Sequence, residues 1–199
     1  MRILLIGASG TIGGAVRAEL SLRHEVVAAG RDGADIRVDI ASPESIADMY
    51  RAAGKVDAVV NAAGAAYFGP LAGMTPENND LSIQSKLRGQ INLVLLGLEH
   101  VNDGGSFTLI TGVTMDDPIA GGASAAMACG AIRAFVQAAA CEMPRGIRIN
   151  NVSPTVVAES IGVYGPYFPG FRSVPAADVA LAFRKSVEGV QTGQTYTVY

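Results

Sequence analysis

The chain begins Arg2-Ile3-Leu4-Leu5-Ile6 and turns at once through Gly7-Ala8-Ser9-Gly10-Thr11-Ile12-Gly13. A continuous apolar run of this length, ended by glycine, reads as a strand covered on both faces, and such strands belong to parallel sheets. The glycines lead into a helix whose first N–H groups have no partners of their own. With no Cβ in the way, those groups can receive a pyrophosphate. The position directly after an N-terminal buried strand is the context this reading requires. Gly7, Ser9, Gly10, Thr11, Ile12 and Gly13 are therefore expected to hold a dinucleotide.

The same alternation of short apolar runs and helical patterns continues to the end. Runs at residues 25–29, 36–39, 57–61, 107–111, 148–152 and 195–198 read as strands. Helical spacing runs from the glycine turn to about residue 22, and again over 75–100, 124–143 and 175–187. Ser42-Pro43-Glu44 starts a further helix with an N-cap, a first-turn proline and an early acid, and Gly54 stops it. Strands joined by such helices require right-handed crossovers. The expected fold class is α/β, a single doubly wound parallel sheet with helices on both faces. With 199 residues, 49% apolar and 17% charged, and no linker or repeat, residues 1–199 are expected to form one domain.

Several function classes are disfavoured by composition. There are 15 Lys+Arg against 18 Asp+Glu and no basic block, so no nucleic-acid partner is expected. His24 and His100 are far apart, and Cys129 and Cys141 are too distant along one helix to pair, so neither a metal site nor a disulfide is expected. No apolar run has the length of a signal sequence or membrane span, which gives a cytoplasmic expectation without membrane association.

The end of the second strand bears on which dinucleotide fits. A ribose 2'-hydroxyl calls for a carboxylate there and a 2'-phosphate for a cation. Ala28-Ala29-Gly30-Arg31 leaves room and supplies a guanidinium, so Arg31 favours NADP(H) over NAD(H). Asp32 beside it is the competing ribose partner.

Gly7-x-x-Gly10-x-x-Gly13, Asp39-Ile40, Asn61-Ala62-Ala63-Gly64, Arg145-Gly146-Ile147-Arg148-Ile149-Asn150 and Ser153-Pro154 occur in that order. Together they resemble the short-chain dehydrogenase/reductase family over nearly the whole chain. Thr11 stands where a glycine is usual, which is similar to atypical members. The resemblance implies a Rossmann-like domain in which Asp39 and Ile40 contact adenine. It also implies that Asn61, Ala62, Ala63 and Gly64 support the cofactor and central sheet, with Pro154 at the cofactor as well.

The family usually carries a serine, a Tyr-x-x-x-Lys pair and a helical asparagine. Tyrosine and lysine one helical turn apart share a face, and the lysine charge lowers the tyrosine pKa so that the phenol can exchange a proton with a carbonyl oxygen. The chain has three lysines, Lys55, Lys86 and Lys185, and the residues four before them are Arg51, Ser82 and Leu181. No Tyr-x-x-x-Lys exists. Aligned on the resemblance, Ala125 stands at the tyrosine place, Cys129 at the lysine place, Gly112 at the serine place with Thr111 beside it, and Lys86 at the asparagine place. Lys86 and Thr111 are thus the catalytic candidates, Lys86 to hold ribose, relay protons or act as the acid. Cys129 is read as small-residue packing. Tyr67 and Ser124 are expected near the cleft mouth, Tyr67 as an aromatic wall of the substrate pocket.

Residues 153–174 leave a strand end and carry Tyr164, Tyr167, Phe168 and Phe171, so this segment is expected to act as a lid over an apolar or planar small-molecule substrate. Ala126, Ala128, Gly130, Ala131, Ala134 and Ala138 allow close helix approach. In proteins of the resembled family this helix packs against its counterpart, which implies a homodimer or homotetramer with Arg133 at the interface or surface. Two functions remain open: an NADP(H)-dependent oxidoreductase with a non-standard proton donor, and a catalytically silent dinucleotide-binding sensor or partner-binding protein.

Overall fold

In the computed structural model, which describes residues 1–199, seven parallel strands form one sheet in the order β3-β2-β1-β4-β5-β6-β7. The strands are β1 (Arg2–Ile6), β2 (Glu25–Gly30), β3 (Ile36–Arg37), β4 (Val56–Asn61), β5 (Val101–Ile110), β6 (Arg148–Pro154) and β7 (Thr195–Val198). From β1 the chain winds outward to β2 and β3, then returns to place β4 on the other side of β1. The strand order therefore reverses between β1 and β4. In open α/β sheets that switch point opens a crevice at the carboxyl ends of the strands.

Burial on both faces follows from the alternation of side chains along each strand. In β1, Leu4 and Ile6 face one core, with Met49, Tyr50, Leu93, Phe107 and Ile132. Ile3 and Leu5 face the other, with Val16, Leu20, Val179 and Phe183. The first core is covered by α2 (Pro43–Ala53), α4 (Gln90–Gly97) and α5 (Ala123–Ala139), and the second by α1 (Thr11–Ser21) and α7 (Ala176–Glu188). Helices thus lie on both faces, as the fold class requires. The Ser42 hydroxyl accepts the Ser45 N–H to cap α2, and Gly54 ends that helix at φ 69°.

Four local expectations change. The helix expected over 75–100 divides into α3 (Pro76–Leu81), a π-helical stretch Ser82–Gly89, and α4. Apolar residues at 83, 87 and 91 fit either winding over so few turns, so their spacing does not reveal the wider coil. Strand β5 begins at Val101, earlier than its apolar run suggests. Helix α5 stops at Ala139, so Cys141 lies beyond it, exposed, while Cys129 is buried and both are free thiols. The segment after β6 holds a short helix, α6 (Ile161–Tyr164), flanked by 3-10 turns.

Helix α1 sits directly on the end of β1. A Cβ on Gly13 would lie 1.9 Å from the Gly7 carbonyl oxygen, so no side chain fits there. Gly13→Ala is expected to overpack this contact at a cost of about 2–3 kcal/mol and lower the thermal unfolding midpoint by about 5–10 °C. An unchanged midpoint by circular dichroism contradicts this reading of the turn.

Candidate functional site

The crevice at the switch point has two connected halves. Gly10, Ala62, Ala63, Gly64, Ala65 and Tyr164 line both of them. The outer half reaches Ile6, Ser9, Gly30, Arg31, Asp39 and Ile40. The inner half, about 380 Å³, reaches Thr11, Ile12, Gly112, Cys129 and Pro154. A cavity of that size suits a small organic group.

The glycine turn supplies the donors between the halves. Gly7 adopts φ 84° and donates its N–H to Ala29 O at 2.8 Å, while its carbonyl accepts Gly10 N–H at 3.1 Å. Helix α1 has Gly10 as N-cap and no side-chain cap. The amide N–H groups of Ser9, Thr11, Ile12 and Gly13 find no acceptor in the chain. A Cβ on Gly10 would meet only Gly7 O, at 3.5 Å, leaving its cleft side open. Orphan donors at the positive end of a helix, with bare backbone before them, fit a pyrophosphate.

Arg31 is exposed at the outer rim and has no hydrogen-bond or ion-pair partner. A second cation joins it. Gly30 and Arg37 are register partners across β2 and β3, and Arg31 and Arg37 line one polar recess with Asp32, Asp39 and Asp48. Arg37 escaped the sequence reading because only the strand pairing brings it beside Arg31. Asp39 Oδ1 accepts the Ala41 N–H at 3.0 Å, and Asp48 is ion-paired to Arg51. Ile40 is buried against the π-helical stretch, where a Cβ on Gly89 would sit 2.8 Å from Ile40 O.

Asn61 is fully buried at the end of β4, and its side chain closes the next turn, donating to Ala63 O at 2.8 Å and accepting Ala63 N–H at 3.3 Å. Gly64 follows at φ 136°, and a Cβ there would lie 3.2 Å from Lys86 Cα. Lys86 is half-buried on the wall of the inner half, and its ammonium has no partner in the chain. Gln90, fully buried, fastens this part of the π-helical stretch to β5. Its Nε2 donates to Lys86 O and Ile110 O, each at 2.9 Å, and its Oε1 accepts Ile110 N–H at 2.9 Å.

Not every expected residue reaches the cavity. Ser124 is buried, with Oγ 2.8 Å from Asn79 Oδ1 and 2.7 Å from Ser82 Oγ, and it does not line the inner half. Ser82 Oγ accepts the Tyr67 N–H at 2.8 Å, and the Tyr67 ring packs over Gly69, away from the cavity. The hydroxyls thus tie the β4 loop to the helices, and the wall expected of Tyr67 is supplied by its neighbour Phe68. Thr111 does line the cavity, but its hydroxyl donates to Val152 O at 3.2 Å and accepts Asn151 Nδ2 at 2.8 Å. Its proton is committed to the β5–β6 junction, which makes it a poor acid. Ala125 and Cys129 both line the cavity, as does Thr155, whose buried hydroxyl has no partner. Tyr164 stands at the mouth beside Phe68, ring centroids 5.7 Å apart. No three His, Cys, Asp or Glu side chains converge on a metal-binding geometry, and no helix is long and apolar enough to cross a membrane.

An open, doubly wound parallel sheet with uncapped amides at its switch point is the architecture of nucleotide-binding α/β proteins. A family model described as enoyl-(acyl carrier protein) reductase matches residues 14–188. The chain belongs to the short-chain dehydrogenase/reductase family, whose members are oxidoreductases that bind NAD(P). It is 29% identical to L-xylulose reductase of Bos taurus over 179 residues, 81% of this chain and 73% of that protein. The crystal structure of the protein lin1944 from Listeria innocua is 60% identical, with TM-score 0.99 and full coverage of both chains. A small-chain dehydrogenase crystallised with NADPH shares the fold at 21% identity and TM-score 0.86, over 100% of this chain and 96% of that one.

Replacing Gln90 by leucine would leave the buried Ile110 N–H and carbonyl without these partners and remove a donor from the part-buried Lys86 carbonyl. Gln90→Leu is expected to cost about 2–4 kcal/mol in urea unfolding. A loss below about 0.5 kcal/mol would contradict the fastening role.

Proposed function

We propose that this protein is an NADP(H)-dependent oxidoreductase that transfers hydride to or from a small carbonyl/alcohol substrate, with Lys86 in place of the usual proton donor. The observation that carries this reading is Lys86 on the wall of the inner cavity, its ammonium without a partner in the chain, next to the turn that Gly64 opens. Support for the cofactor comes from the uncapped amides of residues 9 and 11–13 and from two unpaired guanidiniums, Arg31 and Arg37, in one rim recess. The L-xylulose reductase relative and the NADPH-bound fold neighbour agree with it.

The bound dinucleotide would supply or accept the hydride. The amides of Ser9, Thr11, Ile12 and Gly13 would hold its pyrophosphate, with Gly7 shaping the turn behind them. Ala62, Ala63 and Gly64 line both halves and would form the floor, with Asn61 buried behind them holding the turn. Asp39 and Ile40, on the outer half, would face the adenosine end, and Pro154 and Thr155 bound the inner half. Arg31 and Arg37 would pair a 2'-phosphate. Lys86 would give its proton to the substrate oxygen during reduction. Phe68, Tyr164 and Phe168 would exclude water and favour an apolar or planar body. Thr111 and Ser124 would hold these walls in place rather than react.

The second reading, a silent dinucleotide sensor, draws on Ala125 and Cys129 at the cavity, where the resemblance places a tyrosine and a lysine. The two differ in whether bound NADPH is turned over and not in dinucleotide binding; within the first, the Lys86 proton is worth about 10²–10⁴ in rate. For assembly, we infer a homodimer or homotetramer built on α4 and α5, where Leu95 and Met127 are 57% and 42% exposed and Gly130 has open space at its Cβ position. Arg133 beside this surface is ion-paired with Asp116. A cytoplasmic setting agrees with the two unpaired cysteines.

Titration with NADPH and NADH, followed by single-turnover oxidation of NADPH against a carbonyl panel, tests the proposal. Arg31→Ala is expected to weaken NADPH about tenfold or more and NADH little. Equal losses refute the phosphate role, and tight NADPH binding with no turnover on any carbonyl favours the sensor.

A further inference from the structure

Lys86 is the only charged side chain on the wall of the inner cavity. No aspartate or glutamate shares that wall, and the ammonium has neither a hydrogen bond nor an ion pair within the chain. Its backbone is fixed on both sides. The Lys86 carbonyl accepts Gln90 Nε2 at 2.9 Å, and the preceding residue accepts Ala65 N–H on Ser85 Oγ at 3.0 Å. The side chain is therefore presented from a held backbone rather than from a loose loop.

A second unsatisfied group lines the same cavity. Thr155 is 5% exposed, and its hydroxyl has no partner. Most of the remaining wall is apolar, including Phe68, Val156 and Phe168. A half-buried cation without a counter-charge attracts anions into its cavity. Anionic parts of the dinucleotide would have other partners: a 2'-phosphate would meet Arg31 and Arg37 in the outer recess, and the pyrophosphate the unpaired amides of α1. Ser85 lines the outer half and Lys86 the inner one.

We propose that the substrate is a 2-oxo carboxylic acid with an apolar or aromatic body, and that its carboxylate pairs with Lys86. This rests on the reductase reading above and names the substrate class of that site. Among carbonyl compounds bearing a carboxylate, a 2-oxo acid sets the carbonyl oxygen beside a carboxylate oxygen. One ammonium with three N–H donors then reaches both. In the reducing direction the carbonyl carbon gains hydride from the reduced dinucleotide, which is thereby oxidised. The C=O π bond breaks, its electron pair moves to oxygen, and that oxygen takes a proton from Lys86 Nζ. The product is a 2-hydroxy acid, and the neutral amine regains its proton from water. One residue thus both selects the anion and supplies the proton.

Benzoylformate and its methyl ester, nearly alike in shape but differing in charge, test this in the NADP⁺-saturated protein. Binding of each is measured by calorimetry, and the NADP⁺ affinity of every sample is measured first. The acid is expected to bind at least about tenfold more tightly than the ester, with the preference shrinking as salt rises. Lys86→Met is expected to abolish the preference with NADP⁺ binding retained, and Lys86→Arg to restore part of it. Equal binding of acid and ester, binding of neither, or a preference that survives Lys86→Met overturns the proposal while leaving dinucleotide binding standing. Failure of the unmodified protein to bind NADP⁺ or NADPH at all overturns the reductase reading itself.

Discussion

The architecture of the cleft depends on the contact between the Gly7 carbonyl and Gly13 Cα. Because a Cβ at Gly13 would stand 1.9 Å from that oxygen, α1 can settle onto the end of β1 only with glycine there. This approach aims the first amides of α1 across the strand ends, at the point where the sheet reverses between β1 and β4. Everything that could bind a dinucleotide is arranged around those amides. On one side β2 and β3 bring Arg31 and Arg37 together, and on the other β4 carries Asn61 and the turn to Gly64.

The inner half depends on a different constraint, the wide winding of Ser82–Gly89. Such π-helical stretches are often found at functional sites. Here Gln90 takes the Lys86 carbonyl with its own side chain and grips both polar groups of Ile110, coupling the helix to the strand end beside Thr111 and Gly112. Ser82 and Ser124 add a second tie to the β4 loop through Tyr67 N–H. Three buried polar residues thus hold one lysine against an apolar cavity. The cost of burying their amides and hydroxyls is offset because each is hydrogen-bonded.

The order of strands and helices was legible because buried parallel strands leave continuous apolar runs and glycine punctuates their ends. The glycine turn was legible as a strand-to-helix junction for the same reason, since it directly follows β1. Arg37 was not, because its neighbour Arg31 is reached across a strand pair and not along the chain. Ser124 and Tyr67 were expected near the cleft from their places in the sequence, yet hydrogen bonding turns the Ser124 hydroxyl inward and packing turns the Tyr67 ring away. Thr111 reaches the cavity, but the Val152 carbonyl had already claimed its proton. Sequence position reports which strand end a residue occupies, whereas the partner of its side chain is decided by packing.

In the proposed function the uncapped amides of α1 receive the pyrophosphate of a nicotinamide dinucleotide. Amide resonances in a ¹H–¹⁵N NMR titration with NADPH read those groups directly. Ser9, Thr11, Ile12 and Gly13 are expected to show the largest shifts in the protein and to gain protection from solvent exchange on binding. Shifts confined to other regions, or none on these amides at saturating NADPH, would contradict this role.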